Sequence, residues 1–288
     1  MVKGIPTELW AFDVEWVPDV ESGRRAYGLP RSTPDGAVIE TMWERGGASA
    51  DNPRPYLKTV LCRVVSIAAV IRRQIDRNTV RLDLRSLPGD RDAATTEADL
   101  INRFLTGIGK ARPQLVGFNS RSADLMILLQ RAMVHRLVQP EFCRRPEKPW
   151  DGADYFAKGN DAHLDLLELF GGWGRATPSL HEFATCCGIP GKTLANGATI
   201  VDLWLAGDVR TIVQYNECDA LTTYLLWLRA ALLAGHLSPT QLAREEELLE
   251  TLLLTRGEQD GHEHLLEYVE RWQALRGMSA ATFAASVA

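Results

Sequence analysis

No run of about 18 apolar residues occurs in the chain, so no transmembrane helix is expected. The opening stretch, Met1 to Thr7, has none of the apolar character of a secretory signal. Cysteine is sparse and irregularly placed: Cys62, Cys143, Cys186, Cys187 and Cys218 form no Cys-x-x-Cys pair. This spacing indicates neither a disulfide framework nor a zinc ribbon, and it predicts reduced thiols in a cytoplasmic protein. A basic excess is also missing. The net charge of −5 argues against a surface that coats long duplex DNA. A short local contact stays open, in a cleft where bound cations supply the positive charge. There is no internal repeat and no low-complexity tract. Apolar residues, at 45% of 288, suffice for a core that needs no disulfide or structural metal.

Strand signals come first along the chain. The run Leu9–Val14 reads as a buried strand with an Asp near its end. Residues 17–58 are dense in Pro, Gly, Arg and Asp without a clean period, and read as a long irregular insertion. Leu61–Ile71 is rich in β-branched residues and predicts a central strand. Thr79–Leu84 alternates and predicts its neighbour, joined by a hairpin turn at Asp76-Arg77-Asn78. Helical spacing marks Thr96–Ile108 and Ala123–Leu137, on either side of a short strand at Gln114–Phe118. Gln139–Asp161 reads as a polar loop.

Helices dominate afterwards. Leu164–Phe170 and Ser179–Cys187 read as short helices stopped by glycine, and Ile200–Ala206 as another. Val209–Ala234 is the longest. Ser238-Pro239-Thr240-Gln241 carries a cap signature for a further helix. Glu263–Leu275 is expected to be the last, with the Ala-rich tail from Gly277 fraying. The reading is an α/β fold with a mixed central sheet flanked by helices. Residues 1–235 would form the main domain and residues 236–288 a helical C-terminal extension, packed on or beside it.

Three constellations carry chemistry. Asp13 and Glu15 are two apart on a strand, so both carboxylates leave the same face at the end of a buried segment. Placing them together is costly unless a cation sits between them, and hard divalent cations prefer such oxygens. Asp124 falls in the first turn of the helix after Gly117-Phe118-Asn119, where the helix dipole alone would also favour an acid. Tyr215 and Asp219 are four apart on the longest helix and share a face.

The order Asp-x-Glu, Asn-x-x-x-x-Asp, Tyr-x-x-x-Asp resembles the three exonuclease motifs of the DEDDy branch of ribonuclease-H-like nucleases. More closely, the chain is similar to the predicted 3′–5′ exonucleases related to the exonuclease domain of family B DNA polymerases. His163-Leu164-Asp165-Leu166, Gly188-Ile189-Pro190-Gly191-Lys192 and Asp219-Ala220-Leu221-Thr222-Thr223-Tyr224 support that narrower likeness, which covers roughly residues 8–235. There are departures. Trp16 stands where such families often carry Thr, and Ala123 replaces an aromatic residue before the second-motif Asp. Gln214 stands where the DEDDh branch has His.

The resemblance implies a ribonuclease-H-like fold and a metal-dependent 3′–5′ exonuclease. Asp13, Glu15, Asp124 and Asp219 would hold two Mg²⁺ or Mn²⁺ ions, and Tyr215 would orient the attacking water. The implied substrate is the 3′ end of single-stranded DNA, released as nucleoside 5′-monophosphates. Asn119 is a candidate substrate contact. Arg121, Arg144, Arg145 and Lys192 are candidates by charge, each equally readable as a solvated surface group. Trp16 could stack a terminal base or serve the core. His262 and His264 read as a loop contact. Two alternatives share the motifs: an exoribonuclease, distinguished by 2′-OH contacts, and a catalytically weak end-binding protein. The C-terminal helices could also dock a protein partner. No polymerase-domain motif is present, so any proofreading would act in trans.

Overall fold

β1 (Glu8–Pro18) divides the molecule, because alternate side chains along it enter two different cores. Leu9 and Ala11 face one, and Trp10, Phe12 and Val14 the other. The computed structural model describes residues 2–76, 79–89, 95–148, 150–172, 174–191 and 199–287. The other strands are β2 (Cys62–Gln74), β3 (Val80–Leu87), β4 (Gln114–Gly117) and β5 (His163–Asp165). They form one sheet in the order β3-β2-β1-β4-β5. β1, β2 and β3 pair antiparallel, whereas β4 joins β1 and β5 joins β4 in parallel. This is the mixed sheet flanked by helices that the sequence led us to expect, in a ribonuclease-H-like arrangement.

In chain order the helices are α1 (Val20–Tyr27), α2 (Asp35–Arg45), α3 (Glu97–Ala111), α4 (Asp124–Val134), α5 (Pro140–Cys143) and α6 (Leu166–Phe170). They continue as α7 (Leu180–Cys186), α8 (Ile200–Leu205), α9 (Val209–Leu233), α10 (Pro239–Gly257) and α11 (His264–Val287). α3 and α4 cover the Trp10 and Phe12 face of the sheet. α9 covers the other. Behind it Leu249 and Leu253 of α10, with Leu265, Tyr268 and Trp272 of α11, join the same core as Tyr224, Leu225 and Leu228 of α9.

Several expectations need correction. Residues 17–58 are not irregular throughout, since α1 and α2 lie within them. α1 has no apolar stripe to betray it; its one buried residue is Gly23. A Cβ there would collide with Met42 and Val38, so the glycine lets α2 approach closely. The Asp19 carboxylate caps α1 by accepting from the Ser22 backbone N–H at 3.1 Å. Leu164 and Asp165, expected to open a helix, belong instead to the strand His163–Asp165, because those residues pair with β4, and Asp165 then caps α6. The polar stretch 139–161 contains α5, whose buried Phe142 stacks on Tyr155 at 5.5 Å. α11 continues past Gly277 to Val287. The β2–β3 hairpin forms as expected, although Arg77 and Asn78 of its turn lie outside the described residues.

One buried cation fixes α4 against its neighbours. Arg131 gives Nε and Nη2 to the two oxygens of Glu97 on α3, both at 2.7 Å, and Nη2 also reaches Asp19 at 3.0 Å. Glu97 additionally accepts the β2 backbone N–H of Val64 at 2.8 Å. A charge so placed is tolerable only with bidentate pairing. Its consequence is positional, because Arg131 and Asp124 lie on the same short helix and clamp it at opposite ends.

Candidate active site

Asp13 and Glu15 leave β1 on the face covered by α9. Opposite them on β2 stand small residues, Ala68 across from Asp13 and Ser66 across from Glu15. Small side chains there leave room for α9 to bring its own polar groups down onto the strand ends. Tyr215 and Asp219 arrive on that side. Oxygens of Asp13, Glu15 and Asp219 all lie within 4.8 Å of one another. Asp219 and Tyr215 are buried, whereas Asp13 and Glu15 are half-exposed, so the group opens outward on the β1 side.

The phenol of Tyr215 hydrogen-bonds to Asp219, one turn along. Burial, reinforced by the charges of Asp219, Glu15 and Asp13, pushes Tyr215 far above the ordinary phenol range. It is therefore a protonated donor sitting among carboxylates. Sequence reasoning missed Asn216 and Ser66. The Asn216 amide donates to Asp13 Oδ2 at 2.7 Å, and its oxygen takes the Ser66 hydroxyl at 3.2 Å. The available signal was helical spacing, since Asn216 is three residues before Asp219 and shares its side of the helix.

Asp124 reaches the same neighbourhood from the other direction. It opens α4 and accepts the Val14 backbone N–H at 3.1 Å, between the two β1 acids in sequence. It is not among the three mutually close acids. Complete burial, with the charges of Asp165 and Asp219 adding, lifts its pKa well above the ordinary carboxylate range.

The turn that delivers Asp124 is tightly specified. Asn119 takes a positive φ of 61°, a conformation Asn tolerates better than most residues. Asp165 accepts the backbone N–H of Asn119 and of Arg121, both at 2.9 Å, and also caps α6. Ser120 bonds to the ring of His163 at 2.9 Å. A Cβ on Gly117 would overlap Ser120, so only glycine permits this fold-back. The stretch His163-Leu164-Asp165 thus acts as the mould for the turn.

Hard oxygen donors from β1 and α9, crowded around a half-open space, fit a divalent cation by donor chemistry. A family model described as a predicted 3′–5′ exonuclease related to the exonuclease domain of PolB matches residues 54–272, well over half of the chain. The chain belongs to this family. No curated protein matches it. The family assignment makes it an exonuclease by kind, a nuclease and hydrolase whose substrate is nucleic acid. The matched span contains Asp124, Tyr215 and Asp219 together with α10; Asp13 and Glu15 precede it and are attached through the β1–β2 ladder.

The expected substrate contacts of this exonuclease are scattered. Asn119 is exposed beside the start of α4. Arg121 is turned inward, its guanidinium donating to Glu168 at 3.0 Å and to the His163 carbonyl at 2.7 Å. Trp16 packs with the α3 and α4 core. Arg144 and Arg145 pair with Glu141 and Asp154. Lys192 lies outside the described residues. His264 bonds Glu217 at 2.8 Å, tying α11 to α9. Among the described residues no helix is long and apolar enough to cross a membrane, and no disulfide joins the cysteines.

Proposed function

We propose that the chain removes nucleotides one at a time from the 3′ ends of single-stranded DNA in the cytoplasm, as a DEDDy-type exonuclease using two divalent ions. The observation that carries this reading is the meeting of Asp13, Glu15 and Asp219 oxygens within 4.8 Å, with the Tyr215 hydroxyl on Asp219. Asp13, Glu15, Asp124 and Asp219 are the ligands in this reading. Mg²⁺ or Mn²⁺ bound there would make a nucleophile of water near neutral pH and neutralise charge on the leaving 3′ oxygen. Tyr215 orients the water through its hydroxyl. Asp124 steadies the main chain between Asp13 and Glu15 through the Val14 N–H. The exposed side chain of Asn119 is the remaining candidate for touching the terminal nucleotide. The net charge of −5 suits a short, end-directed contact, with little affinity for long duplex.

The test uses 5′-labelled DNA and RNA of equal sequence with Mg²⁺ or Mn²⁺. We expect a ladder shortening from the 3′ end, faster on DNA, and abolished by excess EDTA. Cleavage that survives EDTA, or shortening from the 5′ end, overturns the reading. A ladder on RNA alone would transfer the activity to an exoribonuclease.

Tyr215→Phe removes one hydroxyl and keeps the buried ring. The expected rate loss is about 10- to 150-fold, the worth of one positioned hydrogen bond of roughly 1.5–3 kcal/mol. Mn²⁺ affinity should change little. A wild-type rate in this variant would remove Tyr215 from the mechanism.

A further inference from the structure

We infer that Asn216, held by Ser66, is a positioning residue for the Asp13 carboxylate and tunes the affinity of the acidic site for divalent cations. The inference rests on the proposed function, and it concerns two residues to which that reading gives no part. The Asn216 amide donates through Nδ2 to Asp13 Oδ2 at 2.7 Å. The Ser66 hydroxyl donates to Asn216 Oδ1 at 3.2 Å. Both intermediaries are fully buried. The amide orientation follows from chemistry. An ionised carboxylate only accepts, so the NH₂ must face Asp13, and the oxygen left over must find a donor. Ser66 supplies that donor. Three elements are thereby joined, β1 through Asp13, β2 through Ser66 and α9 through Asn216.

The chain of bonds matters because Asp13, Glu15 and Asp219 repel one another before any cation arrives. A neutral donor on Asp13 Oδ2 stabilises the charged form without competing for the cation as a lysine or arginine would. It also fixes the rotation of the carboxylate plane. Partners of this kind behind a ligand typically contribute 10- to 100-fold in metal affinity. Placement on α9 adds a second effect. Asn216 lies between Tyr215 and Asp219 in sequence, so the bond that orients Asp13 also sets the distance between β1 and the α9 residues.

The experiment is a Mn²⁺ titration of the full chain, followed by the free-ion resonance signal, for wild type, Asn216→Leu and Ser66→Ala. Leucine keeps the branched outline of asparagine, at larger volume, and deletes the donor. Ser66→Ala deletes one hydroxyl and is the milder change if Asn216→Leu folds poorly. We expect the Mn²⁺ dissociation constant to rise about 10- to 100-fold in Asn216→Leu, and less but in the same direction in Ser66→Ala. Exonuclease activity should need correspondingly more Mn²⁺ and recover substantially at saturation. Wild-type affinity in both variants would overturn the positioning role while leaving the proposed function standing. Failure of wild type itself to bind Mn²⁺ would overturn both.

Discussion

Asp219→Ala is expected to reduce exonuclease turnover by a factor on the order of 10³ or more, while the protein stays folded. The rate loss follows from removing a ligand whose bound ion would supply several kcal/mol of charge stabilisation at the reacting phosphate. The fold should survive because Asp219 sits in mutual repulsion with Asp13 and Glu15 when no cation is present. Deleting one of three crowded charges relieves that repulsion, offset in part by the Tyr215 hydroxyl losing its acceptor. The metal-free melting temperature should therefore hold or rise. The metal-loaded one should not. Wild type with Mn²⁺ at about 100 times its dissociation constant gains about 2.7 kcal/mol, and the variant should lose most of that gain. Two measurements decide the matter, single-turnover rates and melting curves across a Mn²⁺ series. A variant within tenfold of wild-type rate would show that Asp219 holds no catalytic ion.

Periodicity made the separate halves of this site legible. A two-residue spacing on a strand put Asp13 and Glu15 on one face, and a four-residue spacing on a helix did so for Tyr215 and Asp219. Their meeting was not legible from spacing, since Asp13 and Asn216 bond across 203 positions of sequence. Resemblance to an ordered motif set supplied that link. The first helix of the segment 17–58 escaped because it had no apolar pattern to reveal it. α1 buries only a glycine, and it is held by a cap and by the Asp19–Arg131 pair. Asp165 escaped for a related reason. In sequence it reads as one more polar residue near a helix, yet in the fold its two oxygens organise the turn before Asp124. Such work depends on main-chain N–H groups, which leave no trace in residue type.

The same logic separates the two arginines buried on opposite faces of the sheet. Arg131 steadies the helix that begins at Asp124, whereas Arg72 points from β2 toward α9 and α10. Neither touches the acidic site. Each converts a contact between elements, α4 with α3 for Arg131 and β2 with α10 for Arg72, which apolar packing alone would allow to slide, into one with a fixed register. A metal site assembled from two faces of separate elements needs that fixity more than it needs extra stability.

Glu245→Ala is accordingly expected to destabilise the protein by about 3–5 kcal/mol, because it leaves the Arg72 cation buried without its partner. Arg72 is 1% exposed and gives Nε and Nη2 to the two oxygens of Glu245 at 2.8 and 2.6 Å. Glu245 also accepts the Tyr224 hydroxyl at 2.7 Å, so alanine orphans a second donor on α9. Among the described residues Gln74 and the Pro6 carbonyl remain to Arg72, and Trp227 lies 5.8 Å from its guanidinium. A loss of this size is a large share of the roughly 5–15 kcal/mol typical of a folded domain. Urea unfolding measures it as a lower midpoint at unchanged slope. Removing the whole polar set should behave differently. Arg72→Met with Tyr224→Phe and Glu245→Leu leaves no buried unpaired charge, only the part-buried Gln74 and Pro6 acceptors for water to serve, and should fall near wild type or above it. Exonuclease rate per folded molecule should stay within about twofold in all these variants, since Arg72, Tyr224 and Glu245 are not among the residues of the acidic site. A midpoint shift under about 1 kcal/mol for Glu245→Ala would mean that water reaches Arg72 once the carboxylate is gone. In that case α10 would be held by the apolar packing of Leu242, Leu249 and Leu253 and by Arg256, which donates to the Leu84 carbonyl of β3.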